Sequence, residues 1–303
     1  AKIIFCFRLT LQHIYFYYIW RNKTEKMLEN VDLKKVFKSF ERQRILIIGD
    51  VMIDSYMWGK VRRISPEAPV PVVTDVKEEE RLGGAANVAL NIKAMGAVPI
   101  LCSVVGDDPR GQRFLELLHK QNLSDVGIVI EKRRTTTRKT RVISGMQHLL
   151  RVDEETTDLI SPVSEEKLFE FISTFTEDKN IHSIVIQDYD KGVITPSFLK
   201  RLDKLSKKLE IPVLIDPKQR NFLNYKNAAL FKPNFKELVE GLKAEIDKND
   251  LETIASAMEE LRKLTKHKIL MVTLSEMGII VNNENEYHHI PAEAREIADV
   301  SGA

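Results

Sequence analysis

The chain has little that would tie it to a membrane, an oxidising compartment or a polyanion. It holds two cysteines, Cys6 and Cys102, in 303 residues. Their separation matches no metal-ligand spacing, which points to a reduced, cytoplasmic protein rather than a disulfide scaffold. The net charge is +2, from 46 Lys and Arg against 44 Asp and Glu. That lacks the basic excess of a nucleic-acid binder. No GxxxxGK[ST] run is present, which excludes a P-loop enzyme. No GxGxxG follows the first apolar strand, where GDVMID stands instead, and a nicotinamide dehydrogenase is disfavoured. No internal repeat or low-complexity tract occurs. The longest aromatic-rich run, Ile3 to Trp20, is interrupted by Arg8, Gln12 and His13. It is neither a clean span nor a signal peptide. Residues 1–26 are therefore expected to be a non-native or disordered extension ahead of Met27, with an interfacial helix as the alternative.

What is present is a regular alternation. RILIIGD, PILCSVVG, HSIVIQD, IPVLIDP, ALFKPN and KILMVTLS are short apolar runs that read as buried strands. Between them lie helical patterns. GAANVALNIKAMGA is stopped by Gly96. DPRGQRFLELLHKQ has Pro109 in its first turn. SEEKLFEFISTF and LETIASAMEELRKL follow the same period. TPSFLKRLDKLSKKL has Thr195 as N-cap and Pro196 at N1. The fold class implied is α/β, a doubly wound, mostly parallel sheet. Two stretches depart from the alternation, VRRISPEAPVPVVTDVKEEER and GIVIEKRRTTTRKTRVISGMQHLLRVDEE. Both read as antiparallel, half-exposed strands. They are expected to form a small separate β lid over about residues 55–82 and 127–153.

In a doubly wound sheet the residues just past the strands make the ligand site. Here those are Asp50 and Asp54; Gly83, Gly84 and Asn87; Asp188, Asp190 and Lys191; Asp216 and Lys218; Asn234 and Glu237; and Thr273, Ser275 and Gly278. One such Asp would be an ordinary cap, as Asp50 could be. Six converging strand ends make an active-site cleft, and the set suits phosphoryl transfer. KRRTTTRKTR packs six cations into ten residues. The expected reading is a solvated face on edge strands, where charge blocks aggregation. The alternative gives Arg138, Lys139 or Arg141 a substrate phosphate. His288 and His289 fall in an expected hairpin and read as surface histidines rather than metal ligands.

RLGGAANVALNIKAMGA resembles the first signature of the ribokinase-like (PfkB) carbohydrate kinases, and the closing DVSGA resembles the start of their second. GDVMIDSYMWGKVRRISPEAPVPVV and VLIDPK are more specific. They are similar to the branch that phosphorylates D-glycero-β-D-manno-heptose 7-phosphate, often as one half of a bifunctional kinase and adenylyltransferase. The resemblance covers roughly residues 30–303, so a sugar kinase domain is expected over 27–303. It implies a three-layer sandwich with a β lid, and ATP-dependent transfer to O1 for ADP-heptose and lipopolysaccharide core synthesis. It implies that Asp54, Gly83, Gly84, Asn87, Lys191 and Arg141 bind the sugar phosphate. Asn234, Phe235, Lys236, Glu237, Ser275 and Gly278 would bind ATP. Asn234 and Glu237 would act indirectly on Mg²⁺, and Asp299 would adjoin a monovalent cation such as K⁺. Gly302 and Ala303 would form part of an anion hole. The family's catalytic Asp would fall two positions beyond Ala303, leaving the chain as given inactive. A homodimer through the lid is the implied assembly. Another family member, acting on a different sugar or a nucleoside, and a non-catalytic binding fragment remain the alternatives.

Overall fold

The computed structural model describes residues 32–178, 180–283 and 286–292. The expectations for residues 1–26 and for Asp299, Gly302 and Ala303 lie outside the described residues.

Helix α1 (Leu33–Phe40) precedes strand β1 (Arg44–Gly49). Strands β2 (Val51–Ile64) and β3 (Pro71–Gly84) lead into helix α2 (Ala85–Ala94). Then come β4 (Val98–Gly106), α3 (Pro109–Lys120), β5 (Ile128–Glu131), β6 (Arg138–Ser144) and β7 (Gln147–Glu154). Helix α4 (Pro162–Asp178), β8 (Ser183–Gln187), α5 (Pro196–Lys208) and β9 (Val213–Asp216) follow. The remainder is β10 (Leu230–Phe231), α6 (Phe235–Leu242), α7 (Leu251–Thr265), β11 (Ile269–Thr273), β12 (Ile279–Asn282) and β13 (Tyr287–Ile290).

Nine strands form the main sheet in the order β13-β12-β11-β10-β9-β8-β1-β4-β5. From β11 to β5 every neighbouring pair is parallel; β12 and β13 add an antiparallel edge. The physical cause is visible in β1. Ile45, Leu46, Ile47 and Ile48 are all fully buried. Leu46 and Ile48 face a core built on α4, α5 and α7, whereas Ile45 and Ile47 face one built on α1, α2 and α3. A strand covered on both faces reads as an unbroken apolar run, and three layers result. The cap read from sequence forms, as Thr195 Oγ1 accepts from the Phe198 amide at 3.0 Å; Asp108 caps α3 in the same way, its Oδ1 accepting from the Gly111 amide at 2.6 Å.

The second sheet has the order β3-β2-β6-β7. It departs from expectation in two respects. It is mixed rather than antiparallel, because β2 and β6 run parallel, with Asp54 opposite Lys139. Residues 128–131 do not belong to it. They form β5, which extends the main sheet beside β4. Alternation reveals a strand but not its partner, and the connection after β5 carries the chain from one sheet to the other.

Candidate active site

Strand order reverses at β1, which has β4 on one side and β8 on the other. Ligand crevices in such sheets open at that switch point. Asp50 lies just past β1 and is 1% exposed. Its carboxylate accepts main-chain N–H groups of Tyr189 at 2.8 Å, Lys191 at 3.1 Å and Val193 at 3.1 Å. Asp50 thus caps the loop after β8, the structural role open to it from sequence. Arg134 holds the same loop from its other side, donating to the carbonyls of Lys191 and Asp158. Burial pulls the Arg134 guanidinium below its ordinary range, and the neighbouring Asp50, Glu131 and Asp158 charges oppose that shift.

Asp188 does not face the cleft. It is 2% exposed and accepts from Tyr225 Oη at 2.5 Å and the Asp190 amide at 2.7 Å. Burial, with repulsion from Asp50, pushes its pKa up to about 7 against the Tyr225 hydrogen bond. Asp190 is turned to Arg220 at 3.1 Å.

Asp54 sits within β2, farther along the strand than a loop position after β1. Its Oδ1 accepts from Arg141 at 2.7 Å, and both side chains are largely buried. Gly83 and Gly84 are required here. A Cβ at Gly83 would stand 2.3 Å from Asp54 Oδ2. Gly84, at φ +61° and ψ −136°, caps α2, and a Cβ there would stand 2.3 Å from the Asp50 carbonyl oxygen. Asn87 lies half-buried in the first turn of α2.

The basic run is not a solvated edge. Strand β6 is interior to its sheet. Arg138 pairs with Glu78, and Lys139 with Asp153 at 3.0 Å and Glu155 at 2.8 Å. Lys191 meets the other oxygen of Glu155 at 2.7 Å. The Lys139 and Lys191 side chains are only 11% and 14% exposed. Lys132 and Arg133 alone in the run are exposed as expected. The partners Glu155, Arg134 and Arg220 were not found by sequence reasoning. Each is distant in sequence from what it holds.

At the other half of the edge, Asn234 caps α6. Its Oδ1 accepts from the Glu237 amide at 2.8 Å while Glu237 Oε2 accepts from the Asn234 amide at 2.9 Å. Lys218 pairs with the remaining Glu237 oxygen. Polar links run along the edge: Gln187 donates to Asp216 at 3.1 Å, and Lys232 pairs with Asp216 at 3.0 Å. Asn234 bridges to Thr273. Phe235 packs on the apolar core, whereas Lys236 is exposed and pairs with Glu240 at 3.6 Å. Ser275 is exposed, and Leu274 donates to the Gly278 carbonyl at 2.8 Å. Strands β12 and β13 make the expected hairpin. There His288 lies 3.7 Å from Glu286 and His289 Nε2 2.7 Å from the Met277 carbonyl. No group of three or more metal-ligating His, Cys, Asp or Glu occurs among the described residues. No helix among them is long and apolar enough to cross a membrane.

The description "pfkB family carbohydrate kinase" matches residues 42–303. "Bifunctional protein HldE" of Geobacter sulfurreducens is 38% identical over 277 residues, 91% of this chain and 56% of the relative. The Wolinella succinogenes protein of that name is 39% identical over 268 residues, 88% of this chain and again 56% of its own length. The chain therefore spans little more than half the length of these curated relatives. Among solved structures, Escherichia coli phosphofructokinase-2 in complex with fructose-6-phosphate superposes with a TM-score of 0.66 at 18% identity. That match covers 86% of this chain and 83% of that one. The tetrameric inhibited form of phosphofructokinase-2 gives 0.64 at 18%, covering 84% and 82%. At this identity the likeness is one of fold.

Proposed function

The chain belongs to the pfkB family of carbohydrate kinases, and we propose that it phosphorylates D-glycero-β-D-manno-heptose 7-phosphate at O1, using ATP. The product would be the 1,7-bisphosphate, for ADP-heptose and lipopolysaccharide core synthesis in the cytoplasm. The observation that carries this reading is the group Asp54, Arg141, Lys139 and Lys191. A carboxylate able to accept from sugar hydroxyls stands beside buried cations able to hold a phosphate. An unphosphorylated sugar would have no use for them. The heptose assignment draws on the Ile64–Val73 run ISPEAPVPVV and on the relatives named HldE.

In this reading Asp54 orients the sugar above Gly83, Gly84 and Asn87. Asn234, Phe235, Lys236, Glu237, Ser275 and Gly278 serve ATP. Both Glu237 oxygens already accept hydrogen bonds or charge from within the chain. That fits an indirect, water-mediated hold on Mg²⁺ rather than direct ligation. The metal would neutralise charge on the phosphates. Asp299 would adjoin a monovalent cation, and Gly302 and Ala303 would face the transferring phosphoryl group. In the step itself O1 forms a bond to the terminal phosphorus as the bond to the bridging oxygen breaks. The O1 proton passes to the loop carboxylate that the family resemblance calls for. A homodimer through the lid is part of the same reading, since Ile64, Val76, Met146, Leu150 and Val152 expose apolar surface there.

The test is product identification. The chain, extended through the loop Asp, is given ATP, Mg²⁺ and heptose 7-phosphate, and the product is examined by phosphorus NMR. A new anomeric phosphate resonance with stoichiometric ADP is expected. ADP release without an anomeric phosphate would contradict the reading.

A further inference from the structure

Glu155 is the first residue after β7, where the chain leaves the lid for the main domain. Its two carboxylate oxygens hold ammonium groups from different sheets. Oε2 accepts from Lys139 of β6 at 2.8 Å, and Oε1 from Lys191 of the loop after β8 at 2.7 Å. Three other cations of the lid are each paired with a carboxylate of their own. Arg141 is taken by Asp54, Arg138 by Glu78, and Arg151 by Asp153 through two bonds of 2.7 and 2.6 Å. A substrate phosphate that bonds both Lys139 and Lys191 must take the place of the Glu155 carboxylate.

The cavity beside it does not offer extra room. Lined by Asp50, Arg134, Thr135, Thr136, Thr137 and Lys191 among others, it measures about 10 Å³, enough for one water. Of the carboxylates present, Asp153 is fixed in a strand by its paired bonds to Arg151, and Asp54 by Arg141. Glu155 lies outside any strand, and it is held by two single ammonium contacts rather than by a guanidinium. It is the one that can swing out. Burial alone would raise its pKa, but the two lysines hold it below the ordinary carboxylate range, so it stays ionised.

We propose that Glu155 is a built-in stand-in for the substrate's phosphate: Lys139 and Lys191 form the anion subsite, and the incoming phosphate displaces the Glu155 carboxylate from both ammonium groups. A phosphate dianion presents several strong acceptor oxygens where a carboxylate presents two, and carries more charge. It can therefore bond both lysines in the place that Glu155 vacates, and it would link lid and main domain as Glu155 does. Glu155 then sets specificity. A sugar without a phosphate cannot displace it, and the subsite stays closed to that sugar. The inference rests on the sugar phosphate kinase reading for the identity of the ligand, not for the exchange itself.

The experiment uses inorganic phosphate as probe, at constant ionic strength against chloride, with titration calorimetry and no nucleotide. Glu155→Gln keeps the shape and removes the competing charge. Its affinity for phosphate is expected to rise about tenfold over wild type. Lys139→Met and Lys191→Met are each expected to lose phosphate binding. Should Glu155→Gln not fold, Glu155→Asp serves, since the shorter side chain cannot bridge both lysines, and the same tightening is expected. Unchanged or weaker phosphate binding in a folded Glu155 variant would overturn the proposal. Tighter phosphate binding without phosphorylation of any sugar phosphate would sink the kinase reading and leave the exchange standing. Kinase activity without tightening would do the reverse.

Discussion

At the carboxyl edge of the main sheet, ion pairs such as Lys232–Asp216 occur, but Asp50, Asn234 and Glu237 are held by the backbone. Asp50 receives three main-chain N–H groups, and Asn234 and Glu237 cap each other across the start of α6. In the lid, polar groups are held by one another's charge: Asp54 by Arg141, Glu78 by Arg138, Glu155 by Lys139 and Lys191. A backbone-held group is fixed before any ligand arrives. A charge-held group can trade its partner for a ligand of the same sign. The edge is suited to a nucleotide whose place does not vary. The lid is suited to the sugar phosphate, where selection has to occur.

Changes in the lid should therefore strike sugar kinetics and spare the fold, and changes at the edge should do the reverse. The largest effect is expected at Asp54. In the chain extended through the loop Asp, Asp54→Asn should lower kcat/KM for heptose 7-phosphate by about 10⁴, because the site then lacks an acceptor built for sugar hydroxyls. The Asn oxygen can still accept from Arg141, so the protein should stay folded, with a melting temperature lower by a few degrees because the guanidinium loses its counter-charge. Kinetics like wild type would remove Asp54 from the site and break the contrast.

Next is Asp50→Ala, at the edge. Three main-chain N–H groups lose their acceptor at once, and the Arg134 guanidinium loses a neighbouring negative charge. The expected cost is at least about 3 kcal/mol in urea unfolding. A loss under about 1 kcal/mol would mean that Arg134 alone holds the loop.

The contrast also shows what the sequence could reveal. Parallel strands covered on both faces are apolar runs, so Ile45–Ile48 and Ile184–Ile186 were plain to read. Caps are local too, and Thr195 with Pro196 announces itself within two residues, whereas Asn234 and Glu237 were legible as strand-end site residues but not as a cap. The lid was legible only as strands. The parallel β2–β6 pairing, and the ion pairs that turn a basic run into a buried network, join residues up to 87 apart in the chain. Net charge within a window says nothing of carboxylates arriving from elsewhere. Hence Lys139 read as solvated, and Glu155 went unnoticed.

A third change tests the lid cations. Lys139→Gln should raise KM for the phosphorylated sugar about tenfold and leave KM for ATP unmoved. Equal shifts in both would show that Lys139 acts on the whole fold.

The last effect concerns protons at the edge. Asp188 keeps a proton in the folded protein, with its pKa raised from 3.8 to about 7, that the unfolded chain has released. Folding thus takes up a proton across that window. Stability should fall as pH rises from about 4 to about 7 and change little through this group beyond it. Tyr225→Phe removes the hydrogen bond that favours the ionised form. It should cost about 1–2 kcal/mol above neutral pH and less in acid. A cost independent of pH would mean that Tyr225 acts by packing alone.

Discrimination between sugars is the most direct test of the lid cations. The measurement is kcat/KM, by coupled ADP release in the extended chain, for heptose 7-phosphate, fructose 6-phosphate, ribose and a nucleoside. A preference for heptose 7-phosphate of at least about 100-fold is predicted, some 2.7 kcal/mol of differential transition-state binding. Equal or faster turnover of an unphosphorylated sugar would contradict it, since the lid cations would then have no phosphate to select.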